Sequence, residues 1–147
     1  KKPVIRLIII SLLAVLLIGC AGIQPARHSK HIRREMLTTG YCSCQKCSKW
    51  HRNILMQPVY SSGPNKGKRK KVGVTASGTK ARRGTIAADT SRYPFGTVME
   101  IPGYGRGRVE DRGSAIKGDH IDLFFESHKE ALRWGKRKKK VDIWIPR

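Results

Sequence analysis

The strongest constraint on this chain is how often it is interrupted. From Met36 onward, short β-prone runs follow one another, MLTTGY, VGVTASG, GTIAADT, GTVMEIPGYG, GRVED, HIDLFF and VDIWI, separated by Gly, Pro, Asn and Asp. Strands at such short spacing with turn signals between them predict a barrel or sandwich rather than a helical bundle. One helix is the exception. Ser127-His128-Lys129-Glu130 is a capping box, in which Ser satisfies an orphan N–H and Glu reaches back to the cap, and Gly135 can end the helix after Trp134. Ser48 to Lys71, rich in Lys, Arg, Ser, Gly and Pro, reads as an insertion loop. At 147 residues the chain holds one domain plus appendages.

The first residues set the compartment. KKPVIR is a positive segment followed by LIIISLLAVLLI, an apolar run from Leu7 to Ile18. A membrane-spanning helix needs about 20 apolar residues, so this run fits a signal sequence and predicts export. It ends in LIGC, Leu17 to Cys20, which resembles the lipobox of bacterial lipoproteins and implies lipidation of Cys20. An ordinary signal peptide or short anchor is the alternative. The expected organisation is a lipoprotein signal peptide over residues 1–19, a lipidated tether over 20–35 and a folded domain over 36–147. Its expected place is the cell envelope, anchored in the outer membrane and facing the periplasm.

Charge narrows the partners. Thirty-one Lys and Arg against 10 Asp and Glu give +21, which falls to +18 once Lys1, Lys2 and Arg6 leave with the signal peptide. Such an imbalance favours a polyanion: nucleic acid, acidic lipid or a wall polymer. Export argues against nucleic acid and leaves peptidoglycan, whose stem peptides carry carboxylates. The run GKRKKK reads as a solvated hairpin or loop, with wall binding by Lys136 to Lys140 as the alternative.

Cys42, Cys44 and Cys47 follow a C-x-C-x2-C pattern, with His51 four residues later. An exported compartment permits a disulfide with one thiol left over. Three thiolates and an imidazole would also fill a tetrahedral zinc site, and inert thiols are the third reading. A nucleophilic role is least supported, because no motif supplies an activating base.

The acidic residues are concentrated. EDRGSAIKGDHIDLFFES holds Glu110, Asp111, Asp119, Asp122 and Glu126, half of the chain's acids. Strand alternation in HIDLFF sends Ile121, Leu123 and Phe125 to one face and Asp122, Phe124 and Glu126 to the other. An apolar neighbour such as Phe124 and nearby carboxylates raise the pKa of Asp122, fitting it to donate a proton near neutral pH. Asp111 stands at a strand end before Gly113, and Asp89 stands before a turn. Taken singly, each reads as a turn residue bonding its own backbone, and Asp119 keeps that reading.

Together the motifs say more. Ala87-Ala88-Asp89 precedes the P-x-G-T turn Pro94 to Thr97, DRGSAIKG runs from Asp111 to Gly118, and Asp122 lies 11 residues beyond Asp111. With GYCSCQKC and GVTASG upstream, this resembles the three-aspartate (3D) domain family, related to the catalytic domain of membrane-bound lytic murein transglycosylase A, over about residues 36–145. The resemblance implies a mostly β fold, a small double-psi β-barrel with one or two short helices. It implies cleavage of the MurNAc–GlcNAc β-1,4 bond of peptidoglycan to 1,6-anhydro products without a cofactor. Asp122 would be the acid and base, with Asp111 and Asp89 orienting it or binding sugar. Gly113, Ser114, Lys117 and Gly118 of the second motif would line the glycan. Here Arg112 and Ser114 depart from the family's D-T/V-G-G-A-I-K-G pattern, adding a charge and a side chain. The rival expectation is a noncatalytic peptidoglycan-binding module.

Overall fold

A computed structural model describes residues 22–147. The expected signal segment, residues 1–19, and the expected lipidation site Cys20 lie outside the described residues. In chain order the elements are β1 (Ser29–Tyr41), α1 (Gln45–Ser48), β2 (Trp50–Arg52), β3 (Pro58–Tyr60), β4 (Thr85–Ala87), β5 (Val98–Ile101), β6 (Gly105–Asp111), β7 (His120–Phe124), α2 (His128–Trp134) and β8 (Arg137–Pro146). Six strands close into a barrel in the order β1-β7-β4-β6-β5-β8, and β8 pairs back onto β1 from Ser29 opposite Pro146 to Thr38 opposite Arg137. Closure leaves the barrel itself without an edge strand. The ladders β1/β7 and β4/β6 are parallel and the others antiparallel. The mostly β barrel with two short helices is therefore the observed fold.

Alternation along each strand fills the barrel. Met36, Ile86, Val109, Ile121, Leu123 and Ile143 are fully buried and point inward. Helix α2 covers one end of this core, with Trp134 and Ala131 against Phe125 and Tyr104. Its predicted capping box is present, Ser127 accepting from the Glu130 N–H and Glu130 accepting from Ser127, and Gly135 ends it. The helix lies so close to β1 that a Cβ on Gly40 would stand 2.9 Å from the Ala131 carbonyl oxygen. Buried Thr38 is satisfied on both sides, accepting from the Trp134 indole at 3.1 Å and donating to the Arg137 carbonyl at 3.0 Å.

Three boundaries differ from expectation. The tether assigned to residues 20–35 is barrel strand from Ser29 onward, because the run to Glu35 has a ready ladder partner in β8. Its polar residues point outward, so the stretch lacks the apolar content that signals a strand. GKRKKK enters β8 at Arg137 and is not a loop; Lys138, Lys139 and Lys140 pair opposite Leu37, Met36 and Glu35. The insertion over 48–71 contains the hairpin β2–β3, in register from Trp50 opposite Tyr60 to Arg52 opposite Pro58. Among the described residues no helix is long and apolar enough to cross a membrane.

Candidate active site: a carboxylate pair on three adjacent strands

Strands β7, β4 and β6 are neighbours, and Ala87 in the middle strand is the register partner of both Asp122 and Asp111. Register partners point to the same face, so the two carboxylates flank a methyl group. Two strand spacings separate their backbones, about 9.5 Å. This juxtaposition depends on an irregularity. The β4/β6 register passes from Ile86 opposite Val109 to Ala87 opposite Asp111, leaving Glu110 as an extra residue. Plain alternation from inward Val109 would turn Glu110 outward and Asp111 inward; the bulge reverses this and aligns Asp111 with Asp122. Glu110 instead accepts from the Thr85 hydroxyl at 2.9 Å.

Asp122 is half-buried. Burial is the main cause that raises its pKa from 3.8 to about 6, with the Asp111 charge adding to the rise and a hydrogen bond from Thr39 opposing it. Thr39 lies opposite Asp122 in the parallel β1/β7 ladder and donates to its Oδ1 at 2.9 Å. The same hydroxyl meets His120 Nε2 at 2.9 Å. Burial holds the His120 pKa below its ordinary value, which disfavours the imidazolium form.

Asp111 is bound by donors on three sides. The Tyr41 hydroxyl donates to Oδ2 at 3.0 Å, and the Ala76 and Arg112 backbone N–H groups donate to Oδ1 at 2.9 Å each. Tyr41 stands two residues after Thr39 on the same face of β1 and packs edge-on against Phe124 at 5.4 Å. Burial and the Asp111 charge push the Tyr41 pKa far up, so its phenol stays protonated and remains a donor. Lys70, lying 4.3 Å over the Tyr60 ring, feels the Asp111 charge, while partial burial lowers its pKa.

Asp89 does not join this pair through its carboxylate. It caps a turn, accepting from the Ser91 hydroxyl at 2.7 Å, the Ser91 N–H at 3.2 Å and the Gly118 N–H at 2.9 Å. The Ser91 hydroxyl, the Gly118 N–H and the charge of Lys117 hold its pKa down at about 2. Its role is to tie the start of the first motif to the end of the second. Gly118, at φ +62°, supplies one of those bonds. Gly113 is small because a Cβ there would meet Ile116 at 2.9 Å, a packing reason. Ser114 and Lys117 are exposed. Asp119 exceeds the turn role expected of it: it accepts from the Tyr93 hydroxyl at 2.5 Å and pairs with Arg92 at 3.3 Å.

A hollow of about 500 Å³ lined by Glu100, Tyr104, Gly105 and Asp142 lies apart from all three aspartates. Its carboxylates are already paired, Glu100 with Arg106 at 2.7 Å and Asp142 with His31 at 3.1 Å.

The expected fourth ligand of the cysteine cluster is corrected. His51 lies on β2, where its Nδ1 meets the Ser61 hydroxyl at 2.9 Å. The imidazole beside Cys42, Cys44 and Cys47 is that of His128, at the start of α2. No local spacing could have shown it, since barrel closure brings residues 81 or more positions apart together.

The sequence profile of the 3D domain matches residues 84–146, the span holding Asp89, Asp111 and Asp122. Two relatives from Bacillus subtilis are similar over 75 residues, 48% of this chain. The putative cell wall shaping protein YabE is 39% identical over 18% of its own length, and the cell wall-binding protein YocH is 36% identical over 26% of its own. The match thus spans about a fifth to a quarter of either relative. Among solved structures, E. coli MltA with bound chitohexaose is similar at 22% identity and a TM-score of 0.43, over 50% of this chain and 27% of that one. A second E. coli MltA structure is similar at 23% identity and 0.42, over 54% and 29%. Thr39 and Tyr41, the side-chain donors to the acid pair, stand on β1, outside the span of the 3D domain profile.

Proposed function

We propose that the 3D domain is a peptidoglycan lytic transglycosylase in which Asp122 serves first as acid and then as base. The observation that carries this reading is a half-buried carboxyl with a pKa of about 6, fixed beside a second carboxylate that is held by three donors. At neutral pH a usable fraction of Asp122 is protonated. It gives that proton to the glycosidic oxygen as the bond to C1 of MurNAc breaks. The resulting carboxylate then takes the proton from the sugar's own 6-hydroxyl as O6 bonds to C1, which closes the 1,6-anhydro ring, consumes no water and returns Asp122 to its starting state. Asp111 supplies a fixed negative charge near the oxocarbenium-like centre. Asp89 holds the second motif in place, and Ser114 and Lys117, both exposed, meet the glycan or its stem peptide.

The basic surface supports the same substrate, since stem-peptide carboxylates complement it. An envelope location follows from the apolar run at Leu7–Ile18 and from lipidation of Cys20, which are part of this proposal. A second reading, a module that binds peptidoglycan without cutting it, is favoured by the likeness to a cell wall-binding protein.

Purified sacculi incubated with the protein and analysed by mass spectrometry separate the two. Release of 1,6-anhydromuropeptides by wild type and none by Asp122→Asn is expected. Sedimentation with sacculi but no released product from wild type would overturn the transglycosylase reading in favour of the binding one, and reducing-end products would replace it with hydrolysis.

A further inference from the structure

We infer that Cys42, Cys44, Cys47 and His128 bind one zinc ion that bolts the loop after β1 to helix α2. The four ligand atoms all lie within 4.8 Å of one another. His128 Nδ1 stands 3.3 Å from Cys47 Sγ and 3.6 Å from Cys44 Sγ. A tetrahedral zinc with Zn–S of about 2.3 Å and Zn–N of about 2.05 Å requires S···N edges of roughly 3.6 Å and S···S edges of roughly 3.8 Å. The two measured imidazole–thiol edges match that geometry to a few tenths of an ångström, and the remaining edges, all within 4.8 Å, need only a small inward movement of the side chains to close on a metal. Three thiolates and one imidazole form a soft, closed donor set, the kind that structural zinc takes and that calcium or magnesium does not.

The surrounding backbone is built to present these ligands. Cys44 caps α1, and its Sγ accepts the Cys47 N–H at 3.4 Å. The Ser48 hydroxyl donates to the Cys42 carbonyl at 2.8 Å, and the Trp50 indole donates to the Ser43 carbonyl at 2.9 Å. Lys49 turns the chain back in a left-handed conformation at φ +47°. On the other side His128 opens a helix whose capping box fixes its first turn. Cys42 is buried and the other three ligands are half-buried, which limits access of water and oxidants to the thiols. A disulfide would use two of the three sulfurs, strand the third and leave His128 without a part in the cluster.

The site has a structural consequence. Tyr41, which donates to Asp111, immediately precedes Cys42. Zinc anchors the end of β1 there and fixes the phenol's position, whether or not the acids are catalytic. The inference does not depend on the proposed activity, and its tests read the metal.

The full chain, purified without chelator, is expected to carry one zinc per molecule by elemental analysis. Exchange for Co(II) is expected to give the intense ligand-field and thiolate charge-transfer bands of a tetrahedral sulfur-rich site. His128→Ala and Cys44→Ser should each weaken zinc by roughly 100-fold or more, beyond the 10–100-fold that follows loss of an outer partner. His51→Ala should leave affinity unchanged. If the cysteine variants do not fold, the wild type still decides: chelation should lower its melting temperature, and added zinc should restore it. Wild type with less than about a tenth of a zinc per chain, or peptide mapping that finds two of Cys42, Cys44 and Cys47 joined as a disulfide, would overturn the inference. So would loss of zinc in His51→Ala equal to that in His128→Ala.

Discussion

Asp122→Asn should make the protein more stable at alkaline pH and no more stable at acid pH. In the folded chain Asp122 ionises near pH 6, against 3.8 for an unperturbed group. Its folded-state pKa is raised, so wild type is favoured below the unfolded value and loses stability as pH climbs from about 4 through 6, with the loss complete above about 7. Two pH units at about 1.4 kcal/mol each set an upper limit of about 3 kcal/mol, and residual solvent at the half-buried carboxyl reduces this to roughly 2 kcal/mol. An amide in the same place carries no charge, can still accept from Thr39 through its oxygen and removes the repulsion from Asp111. Urea unfolding at pH 8 and pH 4 measures the effect. With a slope of about 2 kcal/mol per molar, the variant's midpoint should lie about 1 M higher at pH 8 and coincide with wild type near pH 4. A midpoint difference that ignores pH, or a variant less stable at pH 8, would refute the assignment of Asp122 as a carboxyl kept ionised at a cost.

Thr39→Val removes a donor that favours the ionised form, so the Asp122 pKa rises further. The limb of the pH–activity profile at which the acid deprotonates should move to higher pH, with a stability loss of about 1–3 kcal/mol for the polar atoms left unpaired. Asp89→Asn should destabilise the protein at pH 7. The native carboxylate's pKa is depressed to about 2, so its contribution is present above about pH 4 and lost as pH falls through 2; denaturation curves of the two proteins should converge there. Gly40→Ala would press a methyl group against the Ala131 carbonyl at 2.9 Å and Phe125 at 3.0 Å, at a cost of about 1–3 kcal/mol, read as a lower melting temperature.

Much of the barrel was legible in the sequence because strand alternation is periodic. Alternation in HIDLFF placed Ile121 and Leu123 inside and Asp122 on the other face, and Ser127 with Glu130 announced α2; the structure has both. What stayed hidden was non-local. Ser29–Glu35 carries charged residues and shows its strand character only beside β8, a partner more than 100 residues away. Thr39 and Tyr41 stand in a run whose β propensity was plain, but their meeting with Asp122 and Asp111 depends on a parallel register that propensity does not encode. The separation of Asp89 from the other two acids has the same origin. Three motif aspartates look alike in the sequence, and only their donors and register distinguish the turn cap Asp89 from the pair that flanks Ala87.

The bulge at Glu110 makes the site a matter of phase. Ordinary point substitutions along β6 alter what a side chain is; flattening the bulge alters which side chain shares a face with Asp122. Deleting Glu110 would place Asp111 directly after inward Val109, on the outward face opposite Ala87, whereas pairing Glu110 into an unbroken ladder would turn Asp111 into the barrel's apolar interior with every aspartate still in the sequence. For sequences built on this frame, whether the residue between Val109 and Asp111 is bulged or paired is therefore as informative as the aspartates themselves, since pairing it costs the carboxylate alignment even when all three motifs align.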